Sequence, residues 1–318
     1  MYLIRGKHNL DLFRKLHPEV SMHGTIGNFD GIHKGHQSIL SKIKNRAKET
    51  NSASIVFFTE PHASEYFAVS KNTDTGAPPR IYPWRKKFEL LKEFGIDFVF
   101  FLKFNNSLRE MTPEIFISDI LDSVGLLSLT VGDDFRFGAN RSGGFKLLQE
   151  WGQTNNIEVA NTETYEYLNE RVSSTRIRKA LLENNFSLAQ DLLGRPYIFS
   201  GKVVHGQHLG RTIGIPTANI WLPKQKLPIS GVYAVRCFLD KKPIDGIANM
   251  GVRPTVGGSH PVLEVHLLNF NSNIYSKRLD VQFINKIRDE KKFKNLDMLK
   301  SQIQEDIKTA KFFLSKTL

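Results

Sequence analysis

The rhythm of apolar residues changes part-way along this chain, and that change confines the fold more than any single motif does. In the first half, short apolar runs rich in β-formers alternate with amphipathic runs. The strand-like runs are "SASIVFF" (Ser52 to Phe58), "DFVFFL" (Asp97 to Leu102), "LSLTVG" (Leu127 to Gly132) and "IEVAN" (Ile157 to Asn161). The helical runs include "RKKFELLKEFG" and "TPEIFISDIL"; in the latter Thr112 is placed to cap a helix, with Pro113 at its first position. Strands joined by helical runs predict a parallel sheet covered by helices, an α/β architecture. Ligands of such sheets bind at the carboxyl ends of the strands.

From "LLGRPYIFSG" (Leu192 to Gly201) onward the texture is different. Strand-like runs follow one another across Gly, Pro and Asn: "YIFSGKVVHG", "GVYAVRCFL", "DGIANMG", "VLEVHLLNF" and "RLDVQFI". Helical periodicity returns only in "NLDMLKSQIQEDIKTAKFFL", with Asn295 as its cap. The second half is therefore expected to form a small antiparallel sheet or barrel ending in a helix. The boundary is placed near residue 185, giving domains 1–185 and 186–318. Repeats and low-complexity segments are not seen.

The chain has 318 residues, enough for two hydrophobic cores. Its formal net charge of +12 favours anionic partners: nucleotides, phosphates, nucleic acid or an acidic membrane surface. The densest basic clusters, "WRKKFELLKEF" and "RDEKKFKNLDMLK", are mixed with acids and apolar residues, the pattern of solvated helix faces and not of a nucleic-acid tail. With one cysteine, Cys237, an internal disulfide framework is excluded and a reducing compartment fits. The first residues lack the apolar run of a signal peptide, and no uninterrupted apolar run approaches membrane-spanning length. These features describe a cytoplasmic protein with small anionic ligands; they leave its oligomeric state open.

"GNFDGIHKGHQSIL" (Gly27 to Leu40) sits at the end of one such strand. Gly27 and Gly31 permit a tight turn, and a helix starting near Lys34 presents free N–H groups and a positive dipole end. His33 and His36, three apart, then face the same ligand, and Gly35 between them leaves room for it. This is an anion site suited to phosphates, whose oxygens imidazoles can hydrogen-bond. Two surface histidines or part of a metal site would also fit these residues.

The tetrad resembles the signature of the nucleotidylyltransferase superfamily, and "VSSTRIRKAL" (Val172 to Leu181) resembles that superfamily's second signature. The resemblance implies that Ser174, Thr175 and Arg178 bind ATP phosphates; Ser174 and Thr175 would cap a helix, and Arg178 offers a fork of donors. With "VGDDFRFGANRSG" (Val131 to Gly143), these stretches are similar to the adenylyltransferase half of bacterial bifunctional riboflavin kinase/FAD synthetases. That similarity implies a Rossmann-like domain in which Gly27, Asn28, Phe29 and Gly35 contact ATP, and Asp134 and Phe137 line the flavin site. The chain departs from the family at "FTEPHA" (Phe58 to Ala63), where "TFEPHP" is usual.

"GQHLGRTIGIPTANIWLP" (Gly206 to Pro223) carries the second site. Amides of a loop containing Gly206, Gly210 and Gly214 can wrap phosphates. Thr217 and Asn219, at strand spacing, point one way and offer a hydroxyl and an amide oxygen, which suit Mg²⁺. A hairpin loop with two solvent-facing polar residues has the same pattern. The "GRxxGxPTAN" stretch, "LEVHLLNF", "IYSKRLDVQF" and "IRDEKKF" resemble the riboflavin kinase domain in order. The resemblance implies an antiparallel barrel with Arg211 among the phosphate-loop residues, Glu264 as general base and Arg288 near the flavin. On a strand, Glu264 and His266 share a face opposite Val265. Asn269 and Ser276 stand where the family often has Asp and the Gly of "YG".

The combined expectation is an enzyme of flavin cofactor synthesis. It would take riboflavin to FMN with MgATP, then FMN to FAD with a second ATP. Rival readings are an enzyme with the kinase alone active, a nucleotidylyltransferase whose barrel only binds, and a nucleic-acid-binding protein.

Overall fold

Each strand-like run of the first half becomes a strand, and the helical runs return the chain so that these strands pair in parallel. The structure is a computed structural model and describes residues 1–71, 76–206, 210, 214–223, 226–255 and 258–316. Its residues group into two units: Met1–Pro78 with Trp84–Ser173, and Pro79–Pro83 with Ser174–Leu318.

In the first unit, β1 (Tyr2–Arg5), β2 (Met22–Ile26), β3 (Ala53–Glu60), β4 (Phe98–Lys103), β5 (Leu126–Val131) and β6 (Glu158–Asn161) form one sheet of order β1-β4-β3-β2-β5-β6. All its pairings are parallel. From β2 the chain builds outward through β3 and β4 on one side; β5 and β6 lie on the other. The strand order thus reverses beside β2, where an open α/β sheet leaves a crevice at its carboxyl ends. Thr112 caps the helix Pro113–Phe116, its hydroxyl accepting from Ile115 N at 3.3 Å. A short antiparallel pair, β7 (Glu166–Tyr167) and β8 (Glu170–Arg171), follows β6. Buried Ile55, Phe57, Phe100, Leu129 and Val131 belong to the core around this sheet.

In the second unit, β9 (Ile198–Val204), β10 (Ala218–Ile220), β11 (Gly231–Leu239), β12 (Lys242–Thr255), β13 (Gly258–Leu267) and β14 (Arg278–Arg288) close into an antiparallel barrel of order β10-β13-β12-β11-β14-β9. β9–β10 pairing completes the ring. The expected sheet or barrel is a barrel. Leu263, Val265 and Leu267 are buried while Glu264 and His266 are partly exposed, the alternation of a strand with one face inward. β11 is buried along most of its length because the terminal helix, Leu296–Ser315, covers Ala234 and Ile247 with Ala310 and Leu314. Asn295 caps that helix by accepting from Met298 N at 2.9 Å.

Residues Pro79–Pro83 pack with the barrel unit. Tyr197 donates to Ile81 O at 3.0 Å, and the Tyr82 and Tyr197 rings lie 5.3 Å apart, both nearly fully buried.

His23 on β2 is buried between two hydroxyls, Ser128 Oγ at 2.7 Å from Nδ1 and Thr50 Oγ1 at 2.9 Å from Nε2. Burial, reinforced by the nearby Arg46 guanidinium, holds its pKa below the ordinary 6.5. The unfolded chain therefore takes up a proton near pH 6.5 that the folded chain refuses until lower pH. The stability this confers is complete above that value and declines as pH falls through it. The urea midpoint is expected to drop between about pH 7.5 and about pH 5.5, and less steeply in His23→Asn. Equal slopes would show that His23 is not the group responsible.

Candidate active sites

The turn after β2 is held in a strained shape. Phe29 and Ile32 have φ of 48° and 42°, the left-handed region that bulky residues avoid, and Gly31 has φ of 82°. Both bulky side chains are buried, which fixes them there. Gln37 Nε2 donates to Ile32 O at 2.8 Å, and Lys87 Nζ donates to Asn28 O at 2.6 Å. Lys87 is 2% exposed, with its ammonium 4.5 Å from the Phe58 ring centre. It lies in the "WRKKFELLKEF" run expected to be solvated; Arg85 and Lys92 of that run are exposed, but Lys87 departs from the expectation. Lys87 shares the apolar helix face with Leu90 and Leu91 at spacings of three and four, a signal the sequence did contain.

His33 is the N-cap of the helix Lys34–Glu49, which begins where the sequence placed it. Its Nδ1 accepts from His36 N at 3.3 Å, so in the neutral ring the proton resides on Nε2, leaving that atom a donor. The two imidazoles stack with centroids 3.7 Å apart. A side chain at Gly35 would lie 3.2 Å from the His33 ring. The room that Gly35 makes is filled by His33 itself, not kept open for a ligand.

Beyond β5, Asp133 accepts from Arg171 Nη2 at 2.8 Å and from Thr164 Oγ1 at 3.2 Å. Asp134 is 77% exposed. Phe137 is buried, packed between Phe116 and Phe135, with backbone bonds in both directions to Gly143. A cavity of about 590 Å³ opens here, lined by Asp133, Arg136, Ser142, Lys146, Glu150 and Asn161. In the altered "FTEPHA" loop, His62 Nδ1 lies 2.7 Å from Ser64 Oγ.

In the second unit, the helix carrying "STRIR" is Ser174–Leu182. Ser174 and Thr175 are its first two residues and Ser173 precedes it, so the cap position belongs to Ser173, one residue earlier than expected. Arg178 Nε donates to Pro79 O at 2.8 Å.

On the barrel, register decides which side chains meet. Asn219 on β10 pairs with Glu264 on β13, and Glu264 pairs with Asn249 on β12. Directly paired residues project to one face. Glu264 is thus flanked by an asparagine on each neighbouring strand. The place of a Gly206 side chain is taken by the Asn219 amide, and that of a Gly210 side chain by the Ile215 carbonyl. Both glycines are required by close approach. Gly214, at φ 75°, requires a left-handed backbone. Arg211 lies outside the described residues. Thr217 lies just before β10 and lines a cavity of about 430 Å³ with Pro216, Ala218, Phe270, Asn273 and Tyr275. His266 Nδ1 is 2.8 Å from Pro216 O; a carbonyl only accepts, so the proton is on Nδ1. Asn269 and Ser276 stand at φ 53° and 67°. Ser276 therefore holds a conformation that favours glycine, the residue usual there in the family it resembles.

Arg288 is engaged in structure. Its guanidinium meets the Asp306 carboxylate through Nε at 2.9 Å and Nη2 at 2.8 Å, with side-chain exposures of 13% and 2%. This pair fastens the terminal helix to β14. The sequence reading did not single out Lys87, Asn249 or Asp306.

Comparison with known proteins follows the two-part layout. A FAD synthetase family profile matches residues 17–176, and a riboflavin kinase profile matches residues 193–314. The bifunctional riboflavin kinase/FMN adenylyltransferase of Escherichia coli K12 is 43% identical over 100% of this chain and 99% of its own length. The chain belongs to the bifunctional riboflavin kinase/FMN adenylyltransferase family. A Haemophilus influenzae bifunctional riboflavin kinase/FMN adenylyltransferase is also 43% identical, over 99% of this chain and 100% of its own. As a bifunctional riboflavin kinase/FMN adenylyltransferase the protein is an enzyme with a domain for each activity. A solved structure from Streptococcus pneumoniae, titled as a macrolide-efflux protein, shares the fold with a TM-score of 0.76 and 28% identity, covering 92% of this chain and 94% of its own. Among the described residues, no helix is long and apolar enough to cross a membrane.

Proposed function

We propose that the barrel transfers the γ-phosphoryl group of ATP to the terminal hydroxyl of riboflavin, with Glu264 as base. The carboxylate takes the hydroxyl proton as the oxygen attacks phosphorus; the bond to the β,γ-bridging oxygen breaks, and FMN and ADP leave. Thr217 and Asn219 are neutral oxygen donors, and the Asn219 amide is pinned by Gly206, so they suit a hard cation. Mg²⁺ held there would offset the charge of the polyphosphate. Amides of the Gly206, Gly210 and Gly214 loop, with Arg211, would cradle those phosphates.

The adenylyl transfer is proposed to use the His33–His36 pair. An FMN phosphate oxygen attacks the α-phosphorus of a second ATP, the bond to the α,β-bridging oxygen breaks, and FAD and pyrophosphate form. No protein nucleophile is needed; positioning and charge stabilisation suffice. The His33 Nε2–H donates to the growing charge, with the Gly27–Phe29 backbone, Gly35 and His36 shaping the turn. Ser174, Thr175 and Arg178 contribute hydroxyls and a guanidinium to the triphosphate, and Asp134 polar contact to the flavin. Phe137 acts from the core, as a support for that loop. Arg288 acts through its hold on the terminal helix.

The observation that carries this reading is that the histidine pair and the Glu264 constellation belong to different units. The functional boundary near residue 185 is part of the proposal, as is a cytoplasmic location. Cys237 is fully buried, and burial pushes its thiol pKa up, which suits a reducing compartment.

Riboflavin, ATP and Mg²⁺ supplied to the protein are expected to yield both FMN and FAD on separation of the flavins. Chelation of Mg²⁺ is expected to stop FMN formation. FMN without FAD would overturn the adenylyl half; FAD made only from supplied FMN would overturn the kinase half.

A further inference from the structure

Asn249 is a polar residue in the middle of an apolar strand run, between buried Ala248 and Met250. Its Nδ2 donates to Glu290 Oε1 at 3.2 Å. A carboxylate only accepts, so the amide cannot be turned round, and Oδ1 is fixed as the remaining acceptor. That Oδ1 is buried and accepts no hydrogen bond among the described residues. Glu290 is itself located by Gly251, whose missing side chain leaves the space its carboxylate occupies. A buried acceptor without a donor weakens a fold unless a ligand supplies one.

The neighbours say which ligand group. Asn249 pairs directly with Glu264 on the neighbouring strand, and its amide holds the Glu290 carboxylate; a second carboxylate on this side of the base repels phosphate oxygens, which carry no proton to donate. Asn219, the proposed cation ligand, lies two strands away from Asn249, about 10 Å at ordinary strand spacing. Its amide leans on Gly206, two residues past its β9 partner Val204 and away from β12. ATP and cation therefore fall on the β10 side of Glu264, and the alcohol substrate on the β12 side. Riboflavin carries a second hydroxyl one carbon from the one phosphorylated, a donor within reach of the next strand. We propose that Asn249 Oδ1 accepts a hydrogen bond from that adjacent secondary hydroxyl, and so selects a polyol chain over a simple alcohol. The proposal rests on Glu264 being the base.

The test compares kcat/KM for riboflavin and for 4′-deoxyriboflavin at saturating MgATP, using the full chain. The unsubstituted protein is expected to prefer riboflavin by about 10- to 100-fold, the scale of one buried hydrogen bond. In Asn249→Ala the preference is expected to fall to within about twofold, with KM for ATP unchanged. Each ratio is taken on one protein, so partial loss of folded molecules cancels. Should Asn249→Ala not fold, Glu290→Ala serves: it frees the amide to turn and is expected to lower the preference. A preference unchanged in the folded variant, or none in the unsubstituted protein, overturns the proposal. Full FMN formation by Glu264→Gln would instead defeat the base assignment, whatever the ratio shows.

Discussion

Glu264→Gln is expected to lower FMN formation by about 10²- to 10⁴-fold, the usual contribution of a positioned base. Conversion of supplied FMN to FAD should continue at its normal rate. The substitution keeps the shape and hydrogen-bonding reach of the side chain and removes only its basicity. Glu264 is partly exposed on the outer face of the barrel, between Asn219 and Asn249. Glutamine meets no apolar core there, and the thermal midpoint should stay close to that of the unsubstituted protein. Separating the flavins after incubation with riboflavin, and after incubation with FMN, gives both rates from one preparation. Loss of both activities in a folded protein would contradict separate sites, and persistence of FMN formation would remove Glu264 from the chemistry.

The second large effect is expected at His33, where two roles can be pulled apart. The imidazole caps the helix Lys34–Glu49 through Nδ1, and in the proposed mechanism its Nε2–H would donate to a phosphoryl oxygen. His33→Asn keeps a strong capping side chain but withdraws the second donor. FAD formation from FMN is expected to fall by about 10²- to 10³-fold, as when one donor to a developing negative charge is lost. His33→Ala should show the same catalytic loss and be less stable than His33→Asn by about 1 kcal/mol, the value of a cap. Both variants lose the stacking with His36, so the stability difference between them reports the cap alone. Riboflavin phosphorylation should be unaffected in either. A normal rate of FAD formation in His33→Asn would confine this histidine to capping.

Periodicity made the architecture readable because parallel strands buried on both faces are short apolar runs, and barrel strands follow one another across turn residues. β11 was legible to the residue, from Gly231 to Leu239. β1 was not, because four residues with exposed Tyr2 leave too little pattern. The start of the helix at Lys34 was legible from the glycines and histidines before it. That Ser173 and not Ser174 precedes the later helix was not, since either serine can cap. Contacts between residues far apart in sequence left the weakest trace. Phe137 in the core, Arg288 on Asp306 and Lys87 under Asn28 depend on partners that periodicity alone does not bring together. Asn249 is intermediate: a lone amide inside an apolar strand run marks a special position without naming its partner.

Pro79–Pro83 groups with the barrel although nearly a hundred residues separate it in sequence from the helix Ser174–Leu182. A gene cut once, anywhere between the two activities, therefore cannot release both halves whole. A barrel fragment made that way loses the carbonyl of Ile81 that receives the Tyr197 hydroxyl, and the ring of Tyr82 against which Tyr197 lies. Supplying the short segment as a separate peptide, or splicing it back as a leader, is the dissection this topology calls for.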